Sequence, residues 1–339
     1  MPPVCPRVLA IDAHAPEPRA IDEAVQILRN GGLVAFPTET VYGLGARALD
    51  EAALGRIFEA KGRPVHHPLI AHVLGENDAA HLAARWPAAA TRLARAFWPG
   101  PLTLVVDRAA GVPSAVAGGG SSIAVRAPSH AVARALIAAL GEPIAAPSAN
   151  RYQGLSATEA AHVVKQLGGA VDLVLDGGPC HAGIESTVID VRGARPRILR
   201  PGAASMVRLR ELLPDLEVAA ESAASDAPRA SPGMDARHYA PKARLQIAAS
   251  EDVRSVVEAC TGAGLRVGVV THSPAAQVAP SPRVVDRRLS AAPEAYANRL
   301  YATLHELDDG AVDVVVVEAV PATDAWLAIA DRLKRAAVE

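Results

Sequence analysis

Residues 31–73 constrain the fold of this chain more than any other stretch, because glycines, prolines and polar residues divide them into distinct elements. An apolar run at 33–36 follows two glycines and has the length of a buried strand. Four polar side chains then crowd into a predicted turn that Gly43 and Gly45 close: Thr38, Glu39, Thr40 and Tyr42. A helix is predicted over 49–60 and a second strand over 68–73. Hydroxyls at one strand end and cations before the next favour a site for a polar, anionic small molecule.

The lysine at position 61 stands out in a chain that otherwise uses arginine. Of the 34 basic residues, four are lysine and 30 are arginine. Lys61 and Arg63 flank a glycine in the KGRP segment that ends the predicted helix. A compact ammonium and a planar guanidinium are not equivalent at a phosphate, which favours a functional role. A helix-end cation stabilised by the helix dipole is the alternative, and both interpretations remain open at this point.

Composition narrows the class of protein. The 339 residues suggest two domains, and 50% hydrophobic with 21% charged residues is typical of a globular protein. A net charge of −2 without a basic stripe argues against a nucleic-acid-binding surface. Three scattered cysteines give neither a disulfide framework nor paired zinc spacing, so a cytoplasmic location is expected. No apolar run has the length of a membrane span.

The order of predicted elements indicates an α/β protein with a second, smaller domain. Strands alternate with helices in the first half and become hairpin-like later, which predicts a mixed twisted sheet. Residues 1–207 form the predicted first domain, and the small, polar, proline-bearing stretch within 208–242 is a predicted linker. Residues 243–339 again alternate strand and helix and are predicted to form a Rossmann-like parallel domain. We find no catalytic constellation in that second domain.

Familiar catalytic motifs are missing from the sequence. It contains no P-loop, no kinase signature set and no GxSxG elbow, and its histidines lack partners at metal-ligand spacing. His66 and His67 are predicted to be solvent-exposed and without function. Hydroxyl, amide and cationic side chains at strand ends remain. They suit a reaction run by positioning and charge neutralisation, such as phosphoryl or nucleotidyl transfer.

Several short motifs in a fixed order make the resemblance specific: FPTETVYGLG, KGRP, APSAN, ESTVID and LRPG, followed by SPGM and RHYAP between 231 and 241. Together they resemble the YrdC-like threonylcarbamoyl-AMP synthase family, and the last two point to its two-domain branch. The family condenses L-threonine, bicarbonate or CO2, and ATP into threonylcarbamoyl-AMP and pyrophosphate. The product serves the N6-threonylcarbamoyladenosine modification of tRNA, which other proteins complete.

The resemblance also implies roles for individual residues. Lys61 and Arg63 would be catalytic, with Mg2+ carried in by ATP and no metal cage in the protein. The residues implied to hold threonine are Thr38, His72, Arg126, Ala146 and Ser186. The residues implied to hold the nucleotide are Lys61, Arg63, Ser122, Ser148, Asn150, Ser156, Arg200 and Tyr239.

Three questions stay open in the sequence. Thr187 could replace Ser186 as the threonine contact. Tyr239 is predicted to lie on a lid that excludes water, but Asp235 and Ala236 stand where the family has a basic and an aromatic residue, which affects how tightly such a lid would close. Two other functions compete with the synthase: an RNA-binding module of the translation apparatus and a carbamoyl-transfer module.

Overall fold

The computed structural model describes residues 5–219 and 238–337, which divide into two compact units. The first unit comprises 5–152 and 156–219, and the second comprises 153–155 and 238–337. Most of the predicted linker, including Asp235 and Ala236, lies outside the described residues. Each unit is built on its own sheet.

The strands described in the first unit form one mixed sheet. They are β1 (Arg7–Ala10), β2 (Val34–Phe36), β3 (Gly43–Arg47), β4 (Ile70–His72), β5 (Leu102–Asp107), β6 (Ser122–Arg126), β7 (Ile144–Ala145), β8 (Leu173–Asp176), β9 (Thr187–Asp190), β10 (Arg197–Arg200) and β11 (Glu217–Val218). Their spatial order is β1-β8-β2-β3-β7-β4-β6-β5-β9-β10-β11. Parallel and antiparallel pairs alternate irregularly, which confirms the predicted mixed sheet.

The helices of the first unit cover this sheet. They are α1 (Pro18–Arg29), α2 (Glu51–Lys61), α3 (Glu76–His81), α4 (Ala88–Phe97), α5 (Ala131–Leu140), α6 (Ala160–Leu167) and α7 (Met206–Leu212), with 3-10 turns at Ser114–Ala117 and Gly168–Ala170. The apolar side chains of α1 and α5 bury Leu28 and Leu136 against Phe36 and Leu175 of the sheet. Burial of this apolar surface is the main force holding the helices on the strands.

The segment after β2 differs from its prediction. A polar turn closed by Gly43 and Gly45 is predicted, but these glycines begin strand β3, which pairs antiparallel with β2. At Gly45 an added Cβ would lie 2.6 Å from a ring carbon of Phe36 and 3.1 Å from the Val34 carbonyl. The glycines therefore allow β3 to pass close to the Phe36 ring, and they do not mark the end of a turn.

The predicted boundary at residue 208 falls inside helix α7. Ser205 caps this helix by accepting the Arg208 N–H at 3.4 Å. Strand β11 then pairs parallel with β10, with Ile198 opposite Val218. Residues 206–219 thus add a helix and an edge strand to the first unit, elements too short to give a clear periodic pattern in the sequence.

The second unit is a four-stranded parallel sheet within its described residues. Its strands are β12 (Arg244–Ala248), β13 (Val267–Thr271), β14 (Val284–Arg288) and β15 (Val314–Glu318), in the order β12-β15-β13-β14. Its helices are α8 (Val253–Gly262), α9 (Pro293–Asp309) and α10 (Leu327–Ala336), with a 3-10 turn at Asp324–Trp326. The parallel Rossmann-like prediction is confirmed. Strand β14 was not predicted, because it is a half-exposed edge strand with only two apolar residues.

Within residues 5–219 and 238–337, no helix combines the length and the apolar composition needed to cross a lipid bilayer.

Candidate active site

The centre of the first sheet presents one face, called here the site face, with an apolar floor. Pairing sets Ala124 between Ile70 on β4 and Val105 on β5, and these residues form a buried cluster with Val188 of β9. Side chains two residues apart on a strand point to the same side of the sheet. Residues two positions along from this floor therefore also belong to the site face.

Three of the predicted threonine-binding residues follow from that register. On β4, His72 lies two residues after Ile70, and on β6, Arg126 lies two residues after Ala124 and opposite His72. Ala146 directly follows β7, and its N–H donates to the Ile70 carbonyl at 3.0 Å. The pairing of three strands brings together residues that are up to 74 positions apart in the sequence, from His72 to Ala146.

Ser186 and Thr187 point to opposite faces of the sheet. Parallel pairing sets Thr103 opposite Val188, so Ser186, two residues before Val188, shares the site face with Thr103. The Oγ of Ser186 lies 2.7 Å from the Oγ1 of Thr103. The Thr187 hydroxyl instead accepts the Ala204 N–H at 3.1 Å. Of the two hydroxyls that the sequence could not separate, only that of Ser186 is directed to the site face.

A buried ion pair lies at the site. The Nη2 of Arg126 is 2.7 Å from the Oε1 of Glu39, and the two side chains are 4% and 12% exposed. Burial would raise the pKa of the Glu39 carboxyl, but the charge of Arg126 outweighs it and holds that pKa below its usual value. Burial, together with the charge of Arg126, lowers the pKa of His72 to about 3. His72 is therefore neutral, and its Nδ1 donates to the Ile70 carbonyl at 3.1 Å.

Thr38 is held by its own turn. Its hydroxyl donates to the Val41 carbonyl at 2.6 Å and accepts the Thr40 N–H at 3.1 Å, while the two threonine hydroxyls are 2.8 Å apart. Hydroxyl side chains that bond to nearby backbone groups favour such turns. The same bonds hold the backbone of Glu39, which lies between the two threonines.

Two cations end helix α2. The Lys61 side chain is buried, and its Nζ donates to the carbonyls of Ser148 at 2.6 Å and Asn150 at 2.5 Å. Burial lowers the pKa of Lys61 well below its usual value, and the charge of Arg63 lowers it further. Gly62 turns the chain with a left-handed φ of 62°, and Arg63 Nη2 then donates to the Pro68 carbonyl at 3.0 Å.

Backbone hydrogen bonds fasten three loops around the turn after β2. The Ala149 N–H donates to the Tyr42 carbonyl, the Tyr42 N–H to the Ala157 carbonyl and the Ala182 N–H to the Glu39 carbonyl, each at 2.8 Å. These bonds bring the loops that carry the predicted nucleotide-binding residues Ser148, Asn150 and Ser156 next to the Thr38 turn.

The same loops position two side chains by hydrogen bonds. Ser156 Oγ donates to Glu185 Oε1 at 2.5 Å, and both residues are buried. Asn150 Nδ2 donates to the Arg151 carbonyl at 2.7 Å. Ser122, the first residue of β6, lies on the site face two residues before Ala124.

A β-bulge brings Arg200 to the site face. The register between β9 and β10 shifts between Ile198 and Arg200, so that Arg200 pairs with Val188. A regular antiparallel ladder would pair Arg200 with Thr187, and its side chain would then point to the opposite face. As built, Arg200 Nη2 donates to the Ser186 carbonyl at 2.9 Å and to the Ser186 Oγ at 3.2 Å.

Tyr239 belongs to the second unit and is described with it. It is buried, with a left-handed φ of 60°. Its ring centroid lies 4.9 Å from the guanidinium carbon of Arg332 and 5.9 Å from the ring centroid of Tyr301. The predicted contact between Tyr239 and ATP stays a prediction.

Three site residues were given no role from the sequence: Glu39, Thr103 and Glu185. Each carries a weak signal, since Glu39 lies between two threonines, Thr103 interrupts an apolar strand and Glu185 opens the ESTVID motif.

The prediction that His67 is exposed is wrong. Its N–H donates to the Pro64 carbonyl at 3.1 Å, and this turn buries the ring, 5.4 Å from that of Tyr152.

The arrangement as a whole is suited to anions. Hydroxyl groups and four buried cations surround an apolar floor, and the cations are Lys61, Arg63, Arg126 and Arg200. Among the residues that the structure describes, no three His, Cys, Asp or Glu side chains are placed to hold a metal ion. The cationic and hydroxyl donors fit carboxylates and phosphates.

Comparison with known families covers nearly the whole chain. The Sua5/YciO/YrdC family model, described as telomere recombination, matches residues 26–202. A second model, described as threonylcarbamoyl-AMP synthase, C-terminal domain, matches residues 204–338.

Individual relatives agree with both matches. A threonylcarbamoyl-AMP synthase from Pyrococcus abyssi is 40% identical over 323 residues, which cover 92% of each chain. One from Bacillus subtilis is 38% identical over 94% of this chain and 92% of its own. The crystal structure of P. abyssi Sua5 complexed with L-threonine superposes with a TM-score of 0.91 at 36% identity, covering 97% of both chains. The chain therefore belongs to the Sua5/YciO/YrdC family, in the two-domain form that carries the Sua5 C-terminal domain.

Proposed function

We propose that this chain is an L-threonylcarbamoyladenylate synthase, which forms threonylcarbamoyl-AMP and pyrophosphate from L-threonine, bicarbonate or CO2, and ATP. The observation that carries the proposal is the gathering of Arg126, Ser186 and Arg200 on one sheet face. Lys61 bonds to the loop at 148–150, which is fastened to the turn that carries Glu39, the ion-pair partner of Arg126. Two curated relatives with this enzymatic name, each spanning more than nine-tenths of this chain, support it.

Threonine binds, in this proposal, at the Arg126 end of the site face. Arg126 takes the substrate carboxylate, because a guanidinium can bond both carboxylate oxygens at once. Neutral His72 and the hydroxyls of Thr38 and Ser186 surround the substrate side chain and amine, with the backbone at Ala146 closing the site. The similar P. abyssi Sua5, which was crystallised as a complex with L-threonine, supports this choice of substrate.

ATP binds along the cationic part of the site. Lys61, Arg63 and Arg200 neutralise its phosphates, while hydroxyl and amide groups donate to the phosphate oxygens. The proposed donors are Ser122, Ser148, Asn150 and Ser156, with Tyr239 as an additional nucleotide contact. Mg2+ enters the proposal only with the nucleotide phosphates, because Mg2+ is usually bound through one or two carboxylates together with substrate phosphates.

The chemistry follows from placing two anions together. The threonine amine adds to CO2 and loses a proton, which gives an N-carboxylate. One oxygen of this carboxylate attacks the α-phosphorus of ATP, and the bond to pyrophosphate breaks. Two unit charges 4 Å apart repel by about 4 kcal/mol at an effective dielectric constant of about 20. The buried charges of Lys61 and Arg63 offset this repulsion as the two anions meet.

The product is a reactive mixed anhydride that is passed to the proteins that modify tRNA. We place the enzyme in the cytoplasm, where ATP, threonine and tRNA occur together. The chain itself needs no direct contact with tRNA in this scheme.

Omission of single substrates tests the proposal. Pyrophosphate release from ATP is measured with L-threonine, bicarbonate or both withheld. We expect release only when both are present. Release that is indifferent to threonine would contradict the synthase and leave carbamoyl transfer or RNA binding as the better account.

A further inference from the structure

We infer that Glu39 is a specificity-determining residue: its carboxylate binds the ammonium group of the amino acid whose carboxylate is held by Arg126. The inference rests on the proposed function, because it takes L-threonine as the substrate. It adds a residue to the threonine site that the sequence motifs did not assign.

The first support is the state of the ion pair. Glu39 Oε1 and Arg126 Nη2 are 2.7 Å apart, and the Ser129 backbone lies near enough to help lower the pKa of the carboxyl. Within the described parts of the chain, neither that nitrogen nor either Glu39 oxygen makes a well-directed hydrogen bond. Buried charged groups are costly when their hydrogen-bonding capacity is left unused. The pair is therefore suited to a ligand that supplies the missing donors and acceptors.

The second support is charge complementarity. A free amino acid carries its ammonium and its carboxylate on the same carbon, so a matching site needs one anion and one cation side by side. Glu39 and Arg126 provide that pair within the site, and their burial strengthens each contact by excluding water.

The third support comes from the other charged groups of the site. Lys61, Arg63 and Arg200 would repel an ammonium group. His72 is neutral, and Glu185 already accepts the hydroxyl of Ser156. Asp190, which the register also sets on the site face, is already paired with Arg192 at 2.8 Å. Glu39 is thus the carboxylate of the site that is best placed to receive a cation.

The Thr38 turn holds the backbone that carries this carboxylate. Thr38 and Thr40 flank Glu39 and bond to each other, and Thr38 also donates to the Val41 carbonyl, so the Glu39 backbone is held on both sides. The Glu39 carbonyl also accepts the Ala182 N–H at 2.8 Å. A backbone that is already held in place reduces the conformational entropy lost when the side chain binds a ligand.

The test compares two ligands that differ only in the amino group. The affinities of L-threonine and of (R)-3-hydroxybutyrate, which is threonine without its amine, are measured by calorimetry without ATP. For Glu39→Gln we expect L-threonine to bind about 10- to 100-fold more weakly, as for loss of a charged hydrogen bond. We expect (R)-3-hydroxybutyrate to bind at least as tightly as before, because the neutral amide of the variant no longer competes for Arg126 with a negative charge.

Two further variants make the result interpretable. Glu318→Gln is the matched control, since Glu318 is also a buried glutamate but belongs to the second unit, where it accepts the Ser273 N–H at 3.0 Å, and we expect this variant to leave threonine affinity unchanged. Glu39→Asp keeps the charge and should retain the preference for the ligand with an amine, even if Glu39→Gln does not fold.

Two outcomes would overturn the inference. An equal loss of affinity for both ligands in Glu39→Gln would mean that Glu39 only positions Arg126. An unchanged threonine affinity would mean that Glu39 neither binds the ammonium group nor positions Arg126. Failure of the proposed function looks different, because the unmodified chain would then not bind L-threonine at all.

Discussion

At the scale of single residues, the buried ammonium group of Lys61 needs an explanation, because burying a charge is energetically costly. Its ammonium is held by two backbone carbonyls of the loop at 148–150, and its pKa is lowered by burial and by Arg63. A buried cation whose hydrogen bonds, within the described residues, go to neutral carbonyls is costly for folding. Its cost is offset if anionic phosphates approach it during the reaction.

Replacement of Lys61 by methionine tests this role. Lys61→Met keeps most of the side-chain volume but removes the charge, and we expect kcat/KM for pyrophosphate release to fall by about 100- to 1,000-fold. Lys165→Met, at an exposed lysine of helix α6, is the control and should leave the rate within about twofold. A Lys61→Met enzyme as active as its parent would exclude charge neutralisation by Lys61.

A neutral His72 gives a second prediction at this scale. Because its pKa is lowered to about 3 by burial and by Arg126, we expect its ring to stay uncharged from about pH 8 down to about pH 5. The nitrogen chemical shifts of the ring, measured by NMR against a His72→Gln sample for assignment, report this state directly. Titration of the ring near its ordinary value of 6.5 would contradict the described burial.

At the scale of elements, the hairpin of β2 and β3 shows what a pattern of residues can and cannot predict. The apolar run of β2 was predictable, because burial on both faces selects four successive apolar residues at 33–36. Strand β3 was not, because its Gly43 and Gly45 are typical of turns, and the ring of Phe36 that requires them is a tertiary contact.

Alanine substitution tests this explanation. In Gly45→Ala the new Cβ would meet the Phe36 ring at 2.6 Å, so we expect the free energy of unfolding to fall by about 1–3 kcal/mol. Gly55→Ala is the matched control: Gly55 lies inside helix α2 with open space around it, and alanine should stabilise the helix by up to about 1 kcal/mol. Both values come from denaturant unfolding; a neutral Gly45→Ala would refute close packing as the reason for the glycine.

Prediction of the site from sequence was limited in the same way, by tertiary contacts. The sequence motifs supplied the residue types and, through the family resemblance, their expected roles. Strand register determined that Ser186 and not Thr187 is directed to the site face, and a bulge determined the direction of Arg200. Both are one-residue choices between opposite faces, and they follow from pairing partners that lie far away in the chain.

At the scale of the whole molecule, both units contain buried carboxylates whose pKa values are lowered in the folded state. They include Glu39, where Arg126 outweighs the effect of burial, and Glu318, where hydrogen bonds from His272 and Ser273 outweigh it. A lowered folded pKa contributes stability above the unfolded value, near 4.5 for glutamate, and this contribution is lost as the pH falls through the folded pKa.

His72 also destabilises the folded state as the pH falls, and its effect begins at a higher pH than that of the carboxylates. Below about pH 6.5 His72 is protonated in the unfolded chain but stays neutral in the folded chain, where its pKa is about 3. We therefore expect the thermal midpoint to be constant near neutral pH and to fall progressively below it, more steeply below about pH 4.5. Thermal unfolding at a series of pH values measures this, and a midpoint that does not change down to about pH 4 would contradict the buried, charge-paired carboxylates.

One measurement tests most directly whether this molecule makes threonylcarbamoyl-AMP on its site face. The unmodified chain is incubated with ATP, L-threonine and isotopically labelled bicarbonate, and the nucleotide products are analysed by mass spectrometry beside those of Lys61→Met. We expect an adenylate that contains both threonine and the label, formed together with pyrophosphate and strongly reduced in the variant. An adenylate that lacks the label, or one that forms equally well without threonine, would contradict the proposed reaction.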